Sequence, residues 1–191
     1  EIAKETSPVP QILRLPAEMW DYKAPAEVYP VAVDKVRFQG EPVAIVVAEK
    51  YELALEAADL IEIDYEVLPA VTNASSAMAA DAPVLYEGWG DNIQAHRLYN
   101  VGNVEGAFQE ADQVVEVSWK EARTSSFSME PRGCLSTFDK YTGILETKGS
   151  FQCPFRSQQV IANVLRLPTT SVRVTSAAIG GSFGTKINSY K

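Results

Sequence analysis

The sequence predicts an α+β fold in which a small α/β unit precedes a larger α+β region. Three patterns carry this expectation. Residues 42–67 read as strand, helix, strand; residues 133–148 read as a hairpin; residues 156–175 read as a helix followed by a strand. The chain has 191 residues, enough for one large domain or two small ones, and 46% are hydrophobic, so a sizeable core is within reach.

Residues 1–30 carry Pro8, Pro10, Pro16, Pro25 and Pro30. Proline lacks an amide proton and fixes φ, so this stretch predicts an irregular arm with at most one short helix. Pro42 to Ala48 is a short apolar run of branched residues, the pattern of a buried strand. Tyr51 to Leu60 turns helical, with Leu53, Ala54, Ala57, Leu60 and Ile61 roughly on one face. Ile61 to Val67 alternates apolar and charged residues, a half-exposed strand that Pro69 ends. Residues 72–100 read as a connector, with a turn of helix within Asn73–Ala80 and a break at Gly88-Trp89-Gly90. The expected organisation is an arm over 1–30, an α/β domain over 31–90 and an α+β region over 91–191.

Asn103 is placed to cap a short helix reaching Glu110, because its side chain can accept from the unpaired amides of a first turn. Gln113 to Lys120 alternates, with Val115, Val117 and Trp119 on one face, and reads as a strand. Gly133–Phe138 and Ile144–Lys148 flank a turn closed by Gly143, hence the hairpin. Arg156–Arg166 is helical, striped by Val160, Ile161, Val164 and Leu165 and stopped by Pro168. The strand Ser171–Thr175 then runs into the glycine-rich segment Ala178–Lys186.

Charge narrows the function classes. Lys and Arg number 17 against 25 Asp and Glu, a net charge of −8. An acidic surface repels phosphate backbones, and no basic stripe offsets it, so nucleic-acid binding is set aside. No apolar run approaches the ~18 residues that a membrane span needs. Glu1 to Glu5 lacks the basic start and apolar block of a signal peptide. Cys134 and Cys153 form no zinc pattern; they suggest a reducing, cytoplasmic setting, with one disulfide left open. The single histidine, His96, lies in a polar loop-like stretch, and one histidine rules out a multi-histidine metal site.

Three segments could carry chemistry. Gly180, Gly181 and Gly184 follow a strand and allow a tight loop with left-handed positions that brings backbone amides close to an anion or flat ligand. Their spacing fits neither phosphate-binding pattern, since Thr185 rather than glycine precedes Lys186. On glycine content alone, a plain strand-to-loop turn is the simpler reading. Gln152 stands before a proline-interrupted helix start, where its amide can point into a cavity or simply cap. Cys153 lacks a nearby histidine to activate it. Glu130, in Ser128-Met129-Glu130-Pro131-Arg132, reads alone as a surface carboxylate or a partner of Arg132.

Taken together and in order, these segments resemble the molybdenum-binding subunit of the molybdenum hydroxylases, the xanthine dehydrogenase, aldehyde oxidase and aerobic carbon monoxide dehydrogenase family. Val36-Arg37-Phe38-Gln39-Gly40-Glu41-Pro42-Val43-Ala44 is similar to the signature of that family's hammerhead domain, and Glu62 to Val71 to its companion strand. Gly102 to Phe108 with Ala111-Asp112 resembles the start of the first molybdenum-binding domain. Met129-Glu130-Pro131-Arg132 and Gly180-Gly181-Ser182-Phe183-Gly184-Thr185-Lys186 follow in register. The resemblance spans about residues 31–191.

The resemblance implies a hammerhead-like α/β domain followed by the first part of a molybdopterin-binding α+β domain. It implies a molybdenum-pterin cofactor, in the cytosine dinucleotide form, and hydroxylation of an aldehyde or N-heterocycle with oxygen derived from water. It also implies partner subunits carrying FAD and 2Fe-2S clusters, together with the remainder of the molybdenum subunit. Gln152 corresponds to the glutamine that donates a hydrogen bond to an oxygen ligand of the molybdenum; Gly181, Ser182, Phe183 and Gly184 correspond to the loop beside the cofactor. No residue of the chain is expected to ligate the metal directly. The family's catalytic glutamate is expected beyond Lys191, so no catalytic residue is assigned within the chain, and Glu130 is not its counterpart. Ser182 stands where the family has glycine. Ile187 stands where purine-oxidising members carry glutamate, which argues against a xanthine-like substrate. Ser126 stands where many members have histidine. The alternative is a non-catalytic fragment or scaffold that binds no cofactor alone.

Overall fold

The computed structural model describes residues 2–10, 21–23, 26–122 and 124–187. The elements in chain order are α1 (Ile2–Glu5), β1 (Asp21–Tyr22), α2 (Tyr51–Asp59), α3 (Ala74–Ala77), β2 (Ala95–His96), α4 (Val104–Glu110), β3 (Cys134–Asp139), β4 (Ile144–Gly149), α5 (Pro154–Val164) and β5 (Val172–Thr175). Short 3-10 turns lie at Glu87–Trp89 and Thr169–Ser171. Helices with a mixed sheet make this an α+β chain. Among the described residues, no helix is long and apolar enough to cross a membrane.

The helices start where local chemistry tells them to. Asn73 Oδ1 accepts from the Ser76 amide at 2.8 Å to open α3, and Asn103 Oδ1 accepts from the Gly106 amide at 3.1 Å to open α4. α5 begins two residues ahead of its expected start, because Pro154 suits the first helical position, where no amide proton is needed. Its C-terminus closes with Leu167 N donating to Ala162 O at 2.9 Å and Arg166 N to Asn163 O at 3.2 Å, while Arg166 takes φ 55°. That pairing ends a helix through one left-handed residue. The segment after α1 docks on this same end: Ser7 N donates to Val164 O at 2.8 Å, and the Arg166 guanidinium donates to Thr6 O at 2.8 Å.

β3 and β4 form the expected antiparallel hairpin, with Cys134 opposite Gly149 and Asp139 opposite Ile144. β5 lies parallel to β4, with Leu145 opposite Val172 and Lys148 opposite Thr175, in the order β3-β4-β5. A parallel pair needs a crossover, and α5 supplies it. The core sits between α5 and the sheet. Val172 is fully buried, and Val160, Ala162, Thr147 and Ser157 are nearly so. The expected stripe is therefore displaced. Small residues at 157 and 162 let the helix approach the strands, and Leu165 remains exposed. The parallel pairing also brings the carboxyl ends of β4 and β5 to one edge, so the segments after Gly149 and after Thr175 leave the sheet side by side.

Three expected strands do not form. Residues 42–48, 61–67 and 113–120 carry no strand, although helix α2 between the first two is in place. A strand needs a partner for its ladder, and the apolar faces of these segments find none to cover them: Val47 and Val67 are each 90% exposed, and Trp119 79%. The accessible surface of the chain is 15531 Å², whereas a compact protein of its 20.9 kDa mass exposes about 9,000 Å². Polar contacts tie this part together locally. Arg37 donates through Nε to Leu85 O at 3.0 Å, lies over the Tyr86 ring and pairs with Asp34 at 3.4 Å. His96 belongs to the two-residue strand β2, opposite Asp21.

Candidate functional site: a glycine loop held by a glutamate and a glutamine

The glycine-rich loop 180–187 emerges at the sheet edge where β5 ends. Gly181 and Gly184 have φ of 90° and 88°, and Phe183 between them has φ 47°. A left-handed aromatic residue is uncommon and is retained only where surrounding bonds hold it. The holding bonds are visible. Thr185 N and Thr185 Oγ1 both donate to Ser182 O at 2.8 Å, Ile187 N donates to Gly184 O at 3.3 Å, and Ser126 Oγ donates to Phe183 O at 3.2 Å. Phe183 is 71% exposed.

Two side chains from other segments grip the loop. Glu130 Oε2 accepts from Gly180 N at 2.9 Å and from Lys186 Nζ at 2.6 Å. A β-carbon at position 180 would lie 2.7 Å from Glu130 Cβ, so glycine is required for this close approach. The Lys186 side chain is almost wholly buried. The Lys186 ammonium beside it, and then the Gly180 amide, hold the Glu130 carboxyl below the usual carboxylate range. Gln152 is the second grip. Its Oε1 accepts from Gly184 N at 3.2 Å, and its backbone N donates to Lys186 O at 3.0 Å.

The structure thus brings Gln152 and Gly184 into direct contact and places Gly181, Ser182 and Phe183 in the same loop. Sequence reading placed Lys186 at the end of the glycine-loop motif but gave it no role, and it missed the true partners of Glu130. Nothing in the spacing signals a pair 56 positions apart. Cys153 sits at the N-terminus of α5 and Cys134 on exposed β3; both are free thiols, which closes the disulfide left open by the sequence. A cavity of about 580 Å³ opens next to the loop, between Glu130, Arg132, Lys148, Ser150 and Ser176 at the carboxyl ends of β4 and β5.

Residues 86–191 match the family model for the molybdopterin cofactor-binding domain, and residues 11–69 match that for the aldehyde oxidase and xanthine dehydrogenase a/b hammerhead domain. The chain belongs to this molybdenum hydroxylase family. The resemblance read from its motifs is thereby borne out, as is the α+β class with a hammerhead domain ahead of a molybdopterin-binding one. Among the family's proteins, the chain is 33% identical over 173 residues to the carbon monoxide dehydrogenase large chain of Afipia carboxidovorans, covering 84% of this chain and 21% of that one. It is 35% identical over 156 residues to the nicotinate dehydrogenase large molybdopterin subunit of Eubacterium barkeri, covering 81% and 36%. In structure it is similar to carbon monoxide dehydrogenase from Oligotropha carboxidovorans, with a TM-score of 0.74, 32% identity and coverage of 85% and 22%. Quinoline 2-oxidoreductase from Pseudomonas putida 86 gives 0.71, 28%, and coverage of 82% and 20%. The chain thus spans about a fifth to a third of the length of these relatives.

The site fits the cofactor of this family on its own geometry. A backbone N–H can only donate, so the Gln152 atom facing Gly184 must be oxygen, and Nε2 is the end of the side-chain amide turned away from that N–H. The loop beside it carries the left-handed glycines that let main chain lie close to a bulky group.

Proposed function

We propose that this chain forms the amino-terminal part of the molybdenum-cofactor subunit of an oxidoreductase that hydroxylates an N-heterocycle or aldehyde with oxygen from water. The observation that carries the reading is the Gln152–Gly184 contact within a loop pinned at both ends. Gln152 would donate from Nε2 to the bound cofactor, while Gly181, Ser182, Phe183 and Gly184 line it. A molybdenum-pterin group supplies two-electron chemistry at an electron-poor carbon. The protein's part here is to offer a neutral donor, which favours negative charge on a ligand oxygen without bringing in a competing cation. The division into an arm over 1–30, a hammerhead-like domain over 31–90 and a cofactor domain from 91 onward belongs to the same reading.

The cytosine dinucleotide form of the cofactor, and partner subunits holding FAD and 2Fe-2S clusters, are further parts of the proposal, as is a cytoplasmic location. Relatives that act on nicotinate and on quinoline support a heterocyclic substrate. Ile187 beside the loop supports a substrate without the polar edge of a purine. The second reading, a scaffold that binds no cofactor alone, is favoured by one observation: Phe183 and much apolar surface stand open.

The deciding test is molybdenum and pterin analysis of the chain purified from its native host with its co-purifying subunits. Close to one molybdenum per chain, with iron and flavin present, is the expected result. A folded chain without molybdenum or pterin would leave only the scaffold reading.

A further inference from the structure

We infer that Glu130 is a positioning residue for Gln152, acting through Lys186 and the glycine loop. The inference deepens the proposed cofactor site and rests on that reading. Glu130 touches both ends of the loop, the amide of Gly180 at 2.9 Å and the ammonium of Lys186 at 2.6 Å. Lys186 in turn offers its carbonyl to the Gln152 amide at 3.0 Å, and Gly184, two residues earlier, offers its amide to the Gln152 side chain at 3.2 Å. One carboxylate oxygen therefore fixes the chain ends between which Gly184 lies, and Gly184 fixes which way the Gln152 amide is turned. With the loop slack, the side-chain amide could turn its nitrogen inward and present an acceptor where a donor is required.

The ion pair is suited to this task. The Lys186 side chain is 1% exposed, so its ammonium depends on Glu130 for compensation. Glu130 is itself 39% exposed and stands at the mouth of the 580 Å³ cavity. None of this makes Glu130 a reacting group; its oxygen is engaged by the loop.

The test compares Glu130→Gln with the double variant Glu130→Gln/Lys186→Met in the assembly purified from its host. The first keeps an oxygen for Gly180 but removes the charge opposite Lys186; the second also removes the stranded ammonium and leaves an unbranched apolar side chain one atom shorter. Residue-resolved hydrogen exchange at the Gly184 amide, which Glu130 does not touch, is the principal readout. Loss of about tenfold in Gly184 protection is expected, with the β3–β4 hairpin amides unchanged. Molybdenum and pterin content per chain should fall in step. Unchanged Gly184 protection overturns the inference. So does an equal loss across the hairpin, or unfolding of both variants, since Glu130 would then support the fold at large. Loss of Gly184 protection with full cofactor content also overturns it, because the orientation of Gln152 would not matter for binding. A wild-type assembly devoid of molybdenum would instead defeat the proposed function, and the exchange comparison would still decide whether Glu130 sets the loop.

Discussion

Ser157 shows how a single buried atom can be left without a partner. Its hydroxyl lies in the core of α5 against the sheet and makes no hydrogen bond. An unpaired buried hydroxyl has given up water for nothing. Ser157→Ala is expected to hold or raise stability by about 1 kcal/mol, read as a higher melting temperature. Gly184 behaves oppositely. At φ 88° it occupies a region that side chains resist, so Gly184→Ala should cost about 1–2 kcal/mol locally and lower cofactor occupancy, checked by loop exchange and metal content. Glu130 gives a pH dependence with a definite sign. Its carboxyl titrates below its ordinary value of 4.5, chiefly because of Lys186. The stabilisation is therefore complete above that ordinary value and is lost as pH falls through the lower, folded one. The protection factor of the Gly180 amide, taken relative to intrinsic exchange at each pH, should be full at neutral pH and fall on acidification below the ordinary value of 4.5; protection lost on raising the pH instead would contradict the assignment.

At the scale of elements, the β4–α5–β5 crossover does most to build the site. It fixes the two strand ends at one edge and leaves Gln152 and the glycine loop adjacent. The other end of α5 meets residues 6–8. Arg166 there adopts φ 55° while its guanidinium holds Thr6 and Ser7. Arg166→Gly should separate these two roles. The helix end gains about 1 kcal/mol from relieved backbone strain, so the melting temperature should hold or rise, while exchange at the Ser7 amide speeds up as the arm detaches. A slower-exchanging arm in that variant would rule out the guanidinium as its anchor.

At the scale of the whole molecule, surface area is the dominant fact. The chain exposes 15531 Å², well beyond the ~9,000 Å² of a compact protein of this mass. Large apolar side chains stand open in it: Val47, Val67, Val101, Phe127 and Met129 are all at least 87% exposed. Apolar surface of this extent is a liability to association when left in water. The isolated chain is expected to bind a hydrophobic dye such as ANS strongly and to self-associate, and both signals should vanish in its natural assembly. A monodisperse, dye-silent monomer would show that these segments cover themselves.

The sequence by itself determined the parts that depend on near neighbours. Asn73 and Asn103 cap their helices, Gly143 turns the hairpin, and Pro154 and Pro168 bracket α5, because each effect acts within a turn or two of chain. The ordered motifs likewise sufficed for the family. Whether the strand-like segments 42–48, 61–67 and 113–120 pair was beyond the sequence, since a ladder needs a second strand whose presence no local pattern records. The site was legible only in part. Composition alone left the glycine loop a plain turn and Gln152 a capping residue, and it was the ordered resemblance that singled them out; the Glu130–Lys186 pair was not read at all, because charge complementarity between distant residues exists only once the parallel strands bring them to one edge. Tertiary structure alone decided that a carboxylate read as surface-exposed would become the clamp of the loop.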